Sequence, residues 1–202
     1  MRIGLDFDNT IVNYDLLFHK VAVEKGVLPP RIPPNKTAVR NYLRESGQES
    51  LWTEMQGVVY GERMAEANAY LGAFDFMRRA NSAGHSLTIV SHKTKHPFIG
   101  PKHDLHLAAR NWVDLHLESE GHPLISPENI YFELTKAAKI LRIRKLGCET
   151  YLDDLPEILL DPEFPDSTRR ILFDPHSKSK DSNNASYSVI KSWGELEQHL
   201  IG

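Results

Sequence analysis

Short apolar runs that alternate with segments of helical period restrict the fold of this sequence more than any other feature. The apolar runs are predicted strands, and they number five: Arg2–Phe7, Ser86–Ser91, Asn129–Leu134, Thr150–Asp153 and Arg170–Asp174. Strands that alternate with helices are typical of an α/β protein. Most of these runs are apolar on both faces, which suits a parallel sheet covered by helices on both sides. We therefore predict a doubly wound parallel sheet.

Helical segments can be assigned between the predicted strands. One apolar stripe follows the helical template in full: Leu105, Ala108, Ala109, Trp112 and Val113. In the segment Lys136–Leu146, the packing face is predicted to be Ile140 and Ile143, and Gly147 is a C-terminal stop signal. A capping-box pattern at Ser192 predicts the start of a last helix.

Two segments interrupt the alternation. Residues 14–71 contain no good strand and look helical, with a Pro-rich link at 29–34. Residues 176–187 are polar and are predicted to form a mobile surface loop. The predicted organisation is a core of residues 1–13 and 72–202, interrupted by the helical insertion 14–71. The length of 202 residues is consistent with this, since it corresponds to roughly 1.3 average domains.

Composition argues against several classes of protein. The chain has 24 basic and 27 acidic residues, a net charge of −3, which disfavours a fold built to coat nucleic acid. The single cysteine, Cys148, cannot form an internal disulfide or anchor a cysteine-based zinc site by itself. Asp6 and Asp8 stand where a signal peptide needs an apolar run, and no apolar run is long enough for a membrane helix. We expect a cytoplasmic protein without a membrane partner.

Two pairs of aspartates follow predicted strands. Asp6 and Asp8 end the first strand, and their side chains are expected to point the same way because residues i and i+2 share a face. Asp153 and Asp154 end the fourth strand. Ligand sites of open α/β sheets form at the carboxyl ends of the strands. Carboxylates clustered there repel one another unless a hard cation such as Mg2+ binds between them. A turn or N-cap role remains the alternative for Asp8 and Asp154.

A hydroxyl and two lysines complete the candidate set. Ser91 ends the second strand, where its hydroxyl could bind a phosphate oxygen without adding charge or could cap a helix. Lys136 and Lys139 begin the helix that precedes Asp153. Either ammonium could neutralise a nucleophile together with a phosphoryl group, or could lie on a solvated helix face.

These elements, in this order, resemble the haloacid dehalogenase (HAD) superfamily of phosphohydrolases. The resemblance is carried by Asp6-Phe7-Asp8-Asn9-Thr10, Ser91 after Thr88-Ile89-Val90, a lysine, and Asp153-Asp154. Residues 72–91 also look like the family's approach to its second motif. The resemblance covers residues 1–13 and about 72–160. The dehalogenases of the family lack the second aspartate, so Asp8 favours phosphate chemistry.

The resemblance implies a Mg2+-dependent phosphatase that forms an aspartyl-phosphate. Asp6 would attack phosphorus, and Asp8 would protonate the leaving group and then activate water. Mg2+ would be held by the Asp6 carboxylate, the Asp8 backbone carbonyl, and Asp153 or Asp154. We slightly favour Asp153 as the direct ligand.

The same resemblance implies a set of groups around the phosphoryl oxygens. Ser91, Thr10 and a lysine would hold them. Lys139 is favoured because its distance from Asp153 looks like that in family members with a short helix. Lys136 stays open because it lies nearer the end of the preceding strand.

The insertion 14–71 stands where this superfamily places a small helical (C1-type) cap, although it could instead be a dimerisation surface. A cap points to a small phosphorylated metabolite, such as a sugar phosphate or a nucleotide. A basic stretch follows Ser91, and we expect its first residues, His92 and Lys93, together with Asn9, to contact an anionic substrate. A solvated loop is the alternative for this stretch.

Two other functions fit parts of the pattern. A nucleic-acid end phosphatase would use the same chemistry, but it needs an open basic groove. A non-catalytic, phosphate-responsive regulatory module would also cluster carboxylates at a parallel sheet, but in a receiver domain the acidic pair comes first and the phosphorylated aspartate later.

Overall fold

A computed structural model describes residues 1–29, 31–177 and 186–201, and its largest element is a six-stranded parallel sheet. The strands are β1 (Arg2–Leu5), β2 (Ser86–His92), β3 (Ile130–Glu133), β4 (Thr150–Asp153), β5 (Arg169–Phe173) and β6 (Ser188–Ile190). Their order across the sheet is β6-β5-β4-β1-β2-β3. The predicted doubly wound α/β fold is confirmed, and β1 lies in the middle of the sheet between β4 and β2.

All five predicted strands are present, with ends shifted by at most two residues. The sixth strand, β6, was not predicted, because it is only three residues long and follows a strongly polar segment. Of the predicted loop 176–187, residues 178–185 lie outside the described part of the chain.

Burial explains why the central strands form. Ile3 and Leu5 of β1 and Tyr151 and Leu152 of β4 are completely buried, as expected for a sheet covered on both faces. Gly4 allows the two strands to pack as they do, since a Cβ atom at this position would lie 2.6 Å from the Tyr151 ring. Because Gly4 has no side chain, the large Tyr151 ring can pack against β1 near the edge of the sheet where the aspartates are found.

The helices that accompany the sheet are α4 (Ala73–Ser82), α6 (Lys136–Leu146), α7 (Pro156–Leu159) and α8 (Trp193–Leu200). In α6 the predicted packing face is confirmed, because Ile140 and Ile143 are buried, and Gly147 ends the helix with a left-handed φ of 61°. The predicted cap of α8 is also present, because Ser192 accepts a hydrogen bond from the backbone N–H of Glu195. A 3-10 turn, Pro127–Asn129, precedes β3.

Contact clustering divides the chain into two compact units. The first unit contains the sheet and consists of Met1–Ile11, Ala69–Lys93 and Leu117–Gly202. The second consists of Val12–Asn68 and Thr94–His116.

The second unit is helical, as predicted for the insertion. It contains α1 (Asp15–Glu24), α2 (Lys36–Glu45), α3 (Glu49–Gly57), a π-helical turn (Val58–Glu62), a 3-10 turn (Met64–Glu66) and α5 (Leu105–His116). Its core is aromatic, since the Phe18 ring stacks on Trp52 and meets Tyr60 edge to face. Among the described residues there are also four two-residue strands: Val12–Asn13, Asn68–Ala69, Glu118–Ser119 and His122–Pro123.

The unit boundaries lie within three residues of the predicted ends of the insertion, and the larger difference concerns one further segment. The sequence assigns residues 94–116 to the core of residues 72–202, whereas this segment clusters with the insertion. The physical reason is the apolar stripe of α5, because the indole N–H of the buried Trp112 donates a hydrogen bond to the Ala67 carbonyl at 2.8 Å. A helical stripe predicts that a helix is buried but not which neighbours cover it. Among the described residues, no helix is both long and apolar enough to cross a membrane.

Candidate active site

The sheet brings the first aspartate pair to its carboxyl edge. Asp6 directly follows β1, and its backbone N–H donates to the Leu152 carbonyl at 2.9 Å, which continues the pairing with β4. Ser91 lies in β2 on one side, and Asp153 ends β4 on the other. Three side chains that are far apart in sequence therefore meet because their strands are neighbours and parallel.

The Asp6 carboxylate is buried and held through both oxygens. Its Oδ1 accepts hydrogen bonds from the Ser91 hydroxyl at 2.8 Å and from the Lys139 ammonium at 2.6 Å. Its Oδ2 accepts a longer one, 3.3 Å, from the Thr10 hydroxyl. Thr10 follows a tight turn in which Asn9 adopts a positive φ of 60°, a conformation that asparagine tolerates better than most residues. The hydroxyls and the ammonium predicted from sequence thus converge on one carboxylate.

The two candidate lysines lie in different places. Thr135 caps α6, and Lys139 lies one turn inside it on the face that carries Ile140. The Lys139 side chain is completely buried, and its Nζ lies 2.6 Å from Asp6 and 2.7 Å from Asp153. Lys136, the first residue of α6, is about half exposed and pairs with Glu157 at 2.8 Å. The geometry therefore brings Lys139, and not Lys136, to the carboxylates.

Burial and charge set the electrostatics of this cluster. Burial alone would lower the pKa of Lys139, but the Asp153 and Asp6 carboxylates outweigh it and raise this pKa above its ordinary value. Burial raises the pKa of Asp153 to about 7, although the Lys139 charge opposes the shift. Two carboxylates share one ammonium, so the buried cluster has one negative charge in excess when both are ionised.

A cation is the natural partner for that excess. Oxygen atoms of Asp6, Asp153 and Asp154 all lie within 4.8 Å of one another, and this is the group of potential metal ligands found among the described residues. Lys139 contacts Oδ2 of Asp153, and Oδ1 of the same carboxylate accepts a hydrogen bond from the Leu155 N–H at 3.0 Å, which fixes the orientation of the carboxylate. An all-carboxylate set, two of whose members share a single ammonium, fits a hard cation such as Mg2+. The Asp8 side chain is not part of the group; only its backbone carbonyl was expected to bind metal.

Asp8 has a different partner. The Lys93 Nζ lies 2.9 Å from one of its carboxylate oxygens and 2.7 Å from the other. Lys93 was expected to contact substrate, but its side chain is only 4% exposed. The structure thus brings Lys93 to the site, with its ammonium turned toward a protein carboxylate.

His92 lies between Ser91 and Lys93 at the end of β2 and is half-buried. Burial lowers its pKa below the ordinary value, and the nearby Lys139 ammonium adds to the effect. The imidazole is therefore neutral at physiological pH, which suits a hydrogen-bonding contact better than the attraction of an anion.

Two residues that support the site were not found from the sequence. Tyr151 lies in an apolar run, yet its hydroxyl donates to the Val90 carbonyl and its ring centroid is 5.7 Å from the Lys139 Nζ. The buried Trp193 donates from its indole N–H to the Thr10 carbonyl at 3.2 Å. The alternation of β4 puts Tyr151 and Asp153 on one face and could have indicated the first contact. No local signal indicates the second, because 183 residues separate its partners.

Comparisons with known proteins identify the fold. No protein-family model matches the sequence, and no curated protein is similar to it. A haloacid dehalogenase-like hydrolase from Xanthomonas campestris superposes with a TM-score of 0.57 at 7% identity, covering 100% of this chain and 94% of that one. The HAD-hydrolase YfnB from Bacillus subtilis, bound to magnesium, gives 0.53 at 15% identity over 98% and 97% of the two chains.

A third structure, a HAD family hydrolase from Deinococcus radiodurans with bound phosphate and sodium, gives a TM-score of 0.54 at 16% identity over 98% of this chain and 94% of that one. The described chain therefore has the fold of these HAD hydrolases, which is the fold that the sequence motifs predicted. At these identities the likeness defines the fold alone.

Proposed function

We propose that this protein is a Mg2+-dependent phosphatase that hydrolyses a small phosphomonoester through an aspartyl-phosphate on Asp6. The observation that carries the proposal is the surroundings of the Asp6 carboxylate. It is buried at the carboxyl edge of the sheet and contacted by two hydroxyls and one ammonium. Phosphoryl transfer needs positioning and charge neutralisation, and these groups supply both.

In the first half of the proposed reaction, an Asp6 oxygen attacks phosphorus while the bond from phosphorus to the ester oxygen breaks. Asp8 donates its proton to the departing alcohol. Ser91 and Thr10 donate hydrogen bonds to the phosphoryl oxygens, and Lys139 balances the charge shared between those oxygens and Asp6. His92 and Asn9 are proposed to contact the substrate beside the phosphoryl group.

Asp6, Asp153 and Asp154 are proposed to hold the metal, with the Asp8 backbone carbonyl as a further oxygen ligand. A bound Mg2+ would neutralise negative charge on the phosphoryl group. The magnesium reported for YfnB and the phosphate reported for the Deinococcus protein support this assignment, because those proteins share the fold.

In the second half of the reaction, water attacks phosphorus of the aspartyl-phosphate. The phosphorus–oxygen bond to Asp6 breaks, and the Asp8 carboxylate takes a proton from the water. Asp6 returns as a free carboxylate and inorganic phosphate leaves. One residue thus serves as acid in the first half and as base in the second.

The substrate class is proposed from the insertion 14–71. A helical unit of this kind in this fold is proposed to act as a cap that excludes water and favours small substrates. Sugar phosphates and nucleotides are the candidates.

The test is hydrolysis of 4-nitrophenyl phosphate with Mg2+ by wild-type protein and by Asp6→Asn. We expect the variant to lose at least about 10⁴-fold in kcat, as for removal of a nucleophile. Asp166→Asn is the matched control, because Asp166 is fully exposed and pairs only weakly with Arg170 at 3.3 Å. It should keep the wild-type rate.

Different outcomes separate the alternatives. Turnover by Asp6→Asn equal to wild type would exclude the aspartyl-phosphate route. Absence of turnover by wild type across sugar phosphates, nucleotides and aryl phosphates would favour a regulatory module. Preference for 5′-phosphorylated oligonucleotides over mononucleotides would favour a nucleic-acid end phosphatase.

A further inference from the structure

Lys93 occupies an unusual place for a lysine. It directly follows β2, and its backbone N–H donates to the Glu133 carbonyl at 2.8 Å, which continues the pairing of β2 with β3 by one residue. Lys93 and Ser91 are two residues apart along this extended strand and therefore share a face. The sheet itself directs the Lys93 side chain to the same edge as Ser91.

The Lys93 ammonium contacts both oxygens of the Asp8 carboxylate, at 2.9 and 2.7 Å. A contact to both oxygens restricts rotation of the carboxylate as well as its position. The Asp8 side chain is 22% exposed, whereas that of Lys93 is 4% exposed. The carboxylate is thus partly accessible, whereas the lysine that pairs with it is buried.

We propose that Lys93 is a positioning residue that holds the Asp8 carboxylate ready to take the proton of the water that attacks phosphorylated Asp6. This inference rests on the proposed function and adds one residue to it. It replaces the role expected from sequence, in which Lys93 would contact the substrate anion directly.

Lys93 should matter more in the second half of the proposed reaction than in the first. An ammonium pairs with an ionised carboxylate, and Asp8 is ionised when it acts as base toward water. In the first half Asp8 carries a proton, and the ion pair has then lost one of its charges. Lys93 therefore contributes to hydrolysis of the intermediate more than to its formation.

The experiment compares wild type with Lys93→Met in rapid-mixing assays on 4-nitrophenyl phosphate with Mg2+. This ester has an acidic leaving group, so formation of the intermediate depends little on an acid. We expect the variant to release about one 4-nitrophenolate per enzyme in a fast burst and then to turn over about 10²-fold more slowly than wild type, as for loss of general base catalysis. Intact mass measurement should detect the added phosphoryl group, which Asp6→Asn should not acquire.

Further variants test whether the effect comes from the charge of Lys93 and from its pairing with Asp8. Lys93→Arg retains the cation and should recover part of the lost kcat. Lys145→Met removes an exposed lysine from the end of α6 and should behave as wild type. If Lys93→Met is poorly folded, Asp8→Asn can be compared with the double variant Asp8→Asn/Lys93→Met, in which no carboxylate is left unpaired. The two should break down the intermediate at the same rate.

Several results would overturn the inference. A raised KM with unchanged kcat would assign Lys93 to substrate binding, and slow turnover without a burst would assign it to formation of the intermediate. A further loss in the double variant beyond Asp8→Asn would show that Lys93 acts independently of Asp8. If wild type itself shows no Asp6-dependent turnover, the proposed function fails and this inference fails with it, an outcome distinct from failure at Lys93 alone.

Discussion

The ion pairs at the carboxyl edge of the sheet differ in burial from ion pairs of the second unit. At the carboxyl edge of the sheet, Lys139, Asp6 and Asp153 are paired with one another and almost completely buried. In the second unit the pair Lys25–Glu54 is partly exposed, with side chains that are 33% and 40% exposed. Lys20–Glu66 and Arg44–Glu49 are more exposed still.

The difference shows what each set of charges does. Burying an ion costs several kcal/mol, and a buried pair stabilises a fold no better than apolar residues of the same volume. The fold of the first unit therefore does not require Lys139, Asp6 and Asp153 to be charged. Their burial is consistent with the proposed phosphoryl transfer, which needs charges held in fixed positions, whereas exposed pairs such as Lys25–Glu54 contribute at most modest local stability.

Removal of the buried lysine should have the largest effect on stability and on kcat. Lys139→Met leaves Asp6 and Asp153 without their ammonium, so we expect unfolding to become easier by about 3–5 kcal/mol. Denaturant unfolding measures the loss. The same variant should lose at least about 10³-fold in kcat, comparable with removal of one preorganised charge-stabilising group.

Lys136→Met is the matched control three residues earlier in the same helix. Its Nζ is exposed and pairs with Glu157, so both stability and kcat should stay close to wild type. A large loss of kcat in this variant with little loss in Lys139→Met would reverse the assignment of the two lysines.

Metal binding should change the stability of the protein by an intermediate amount. Mg2+ at about 100 times its Kd should stabilise wild type by about 3 kcal/mol if it binds only the folded chain. Thermal unfolding with and without Mg2+, or with EDTA, measures the shift in Tm. Asp154→Asn should remove much of this shift, because it takes one carboxylate from the group formed with Asp6 and Asp153.

The control for the metal experiment is Asp166→Asn, which removes an exposed carboxylate of the same unit. It should leave the Mg2+-dependent shift intact. An equal shift in Asp154→Asn and wild type would mean that Mg2+ does not use the predicted carboxylates.

The smallest expected effect concerns the second unit. Lys25→Met removes the exposed pair with Glu54, in which the charged atoms are 3.1 Å apart, and should change stability by about 0.5 kcal/mol or less. Added salt should reduce even that difference, because exposed charges are screened. A loss of several kcal/mol would contradict the view that charges in this unit are dispensable for folding.

The sequence predicted the parts of this fold that depend on local pattern. The strands were recognisable because both their faces are apolar, and the aspartate pairs because they stand at strand ends. Lys139 could be favoured but not separated from Lys136, since both begin the same helix and only the direction of packing decides which is buried.

Features that depend on distant partners were not predictable in this way. Strand β6 is held by pairing with β5 and has little apolar pattern of its own. The role expected for Lys93 differs from its observed contact, because composition suggested a basic loop while the strand continues through this residue. The clustering of α5 with the insertion likewise depends on which unit covers its apolar stripe.

The hydrogen bond from Trp193 to the Thr10 carbonyl has a consequence for synthesis of the protein. A chain still emerging from the ribosome contains Asp6 and Thr10 long before it acquires Trp193, which follows Thr10 by 183 residues. The turn that carries Thr10 therefore gains this support only after all six strands of the described sheet have been synthesised. A nascent chain that already contains Asp6 therefore still lacks one of the contacts that hold the Thr10 turn of the candidate site.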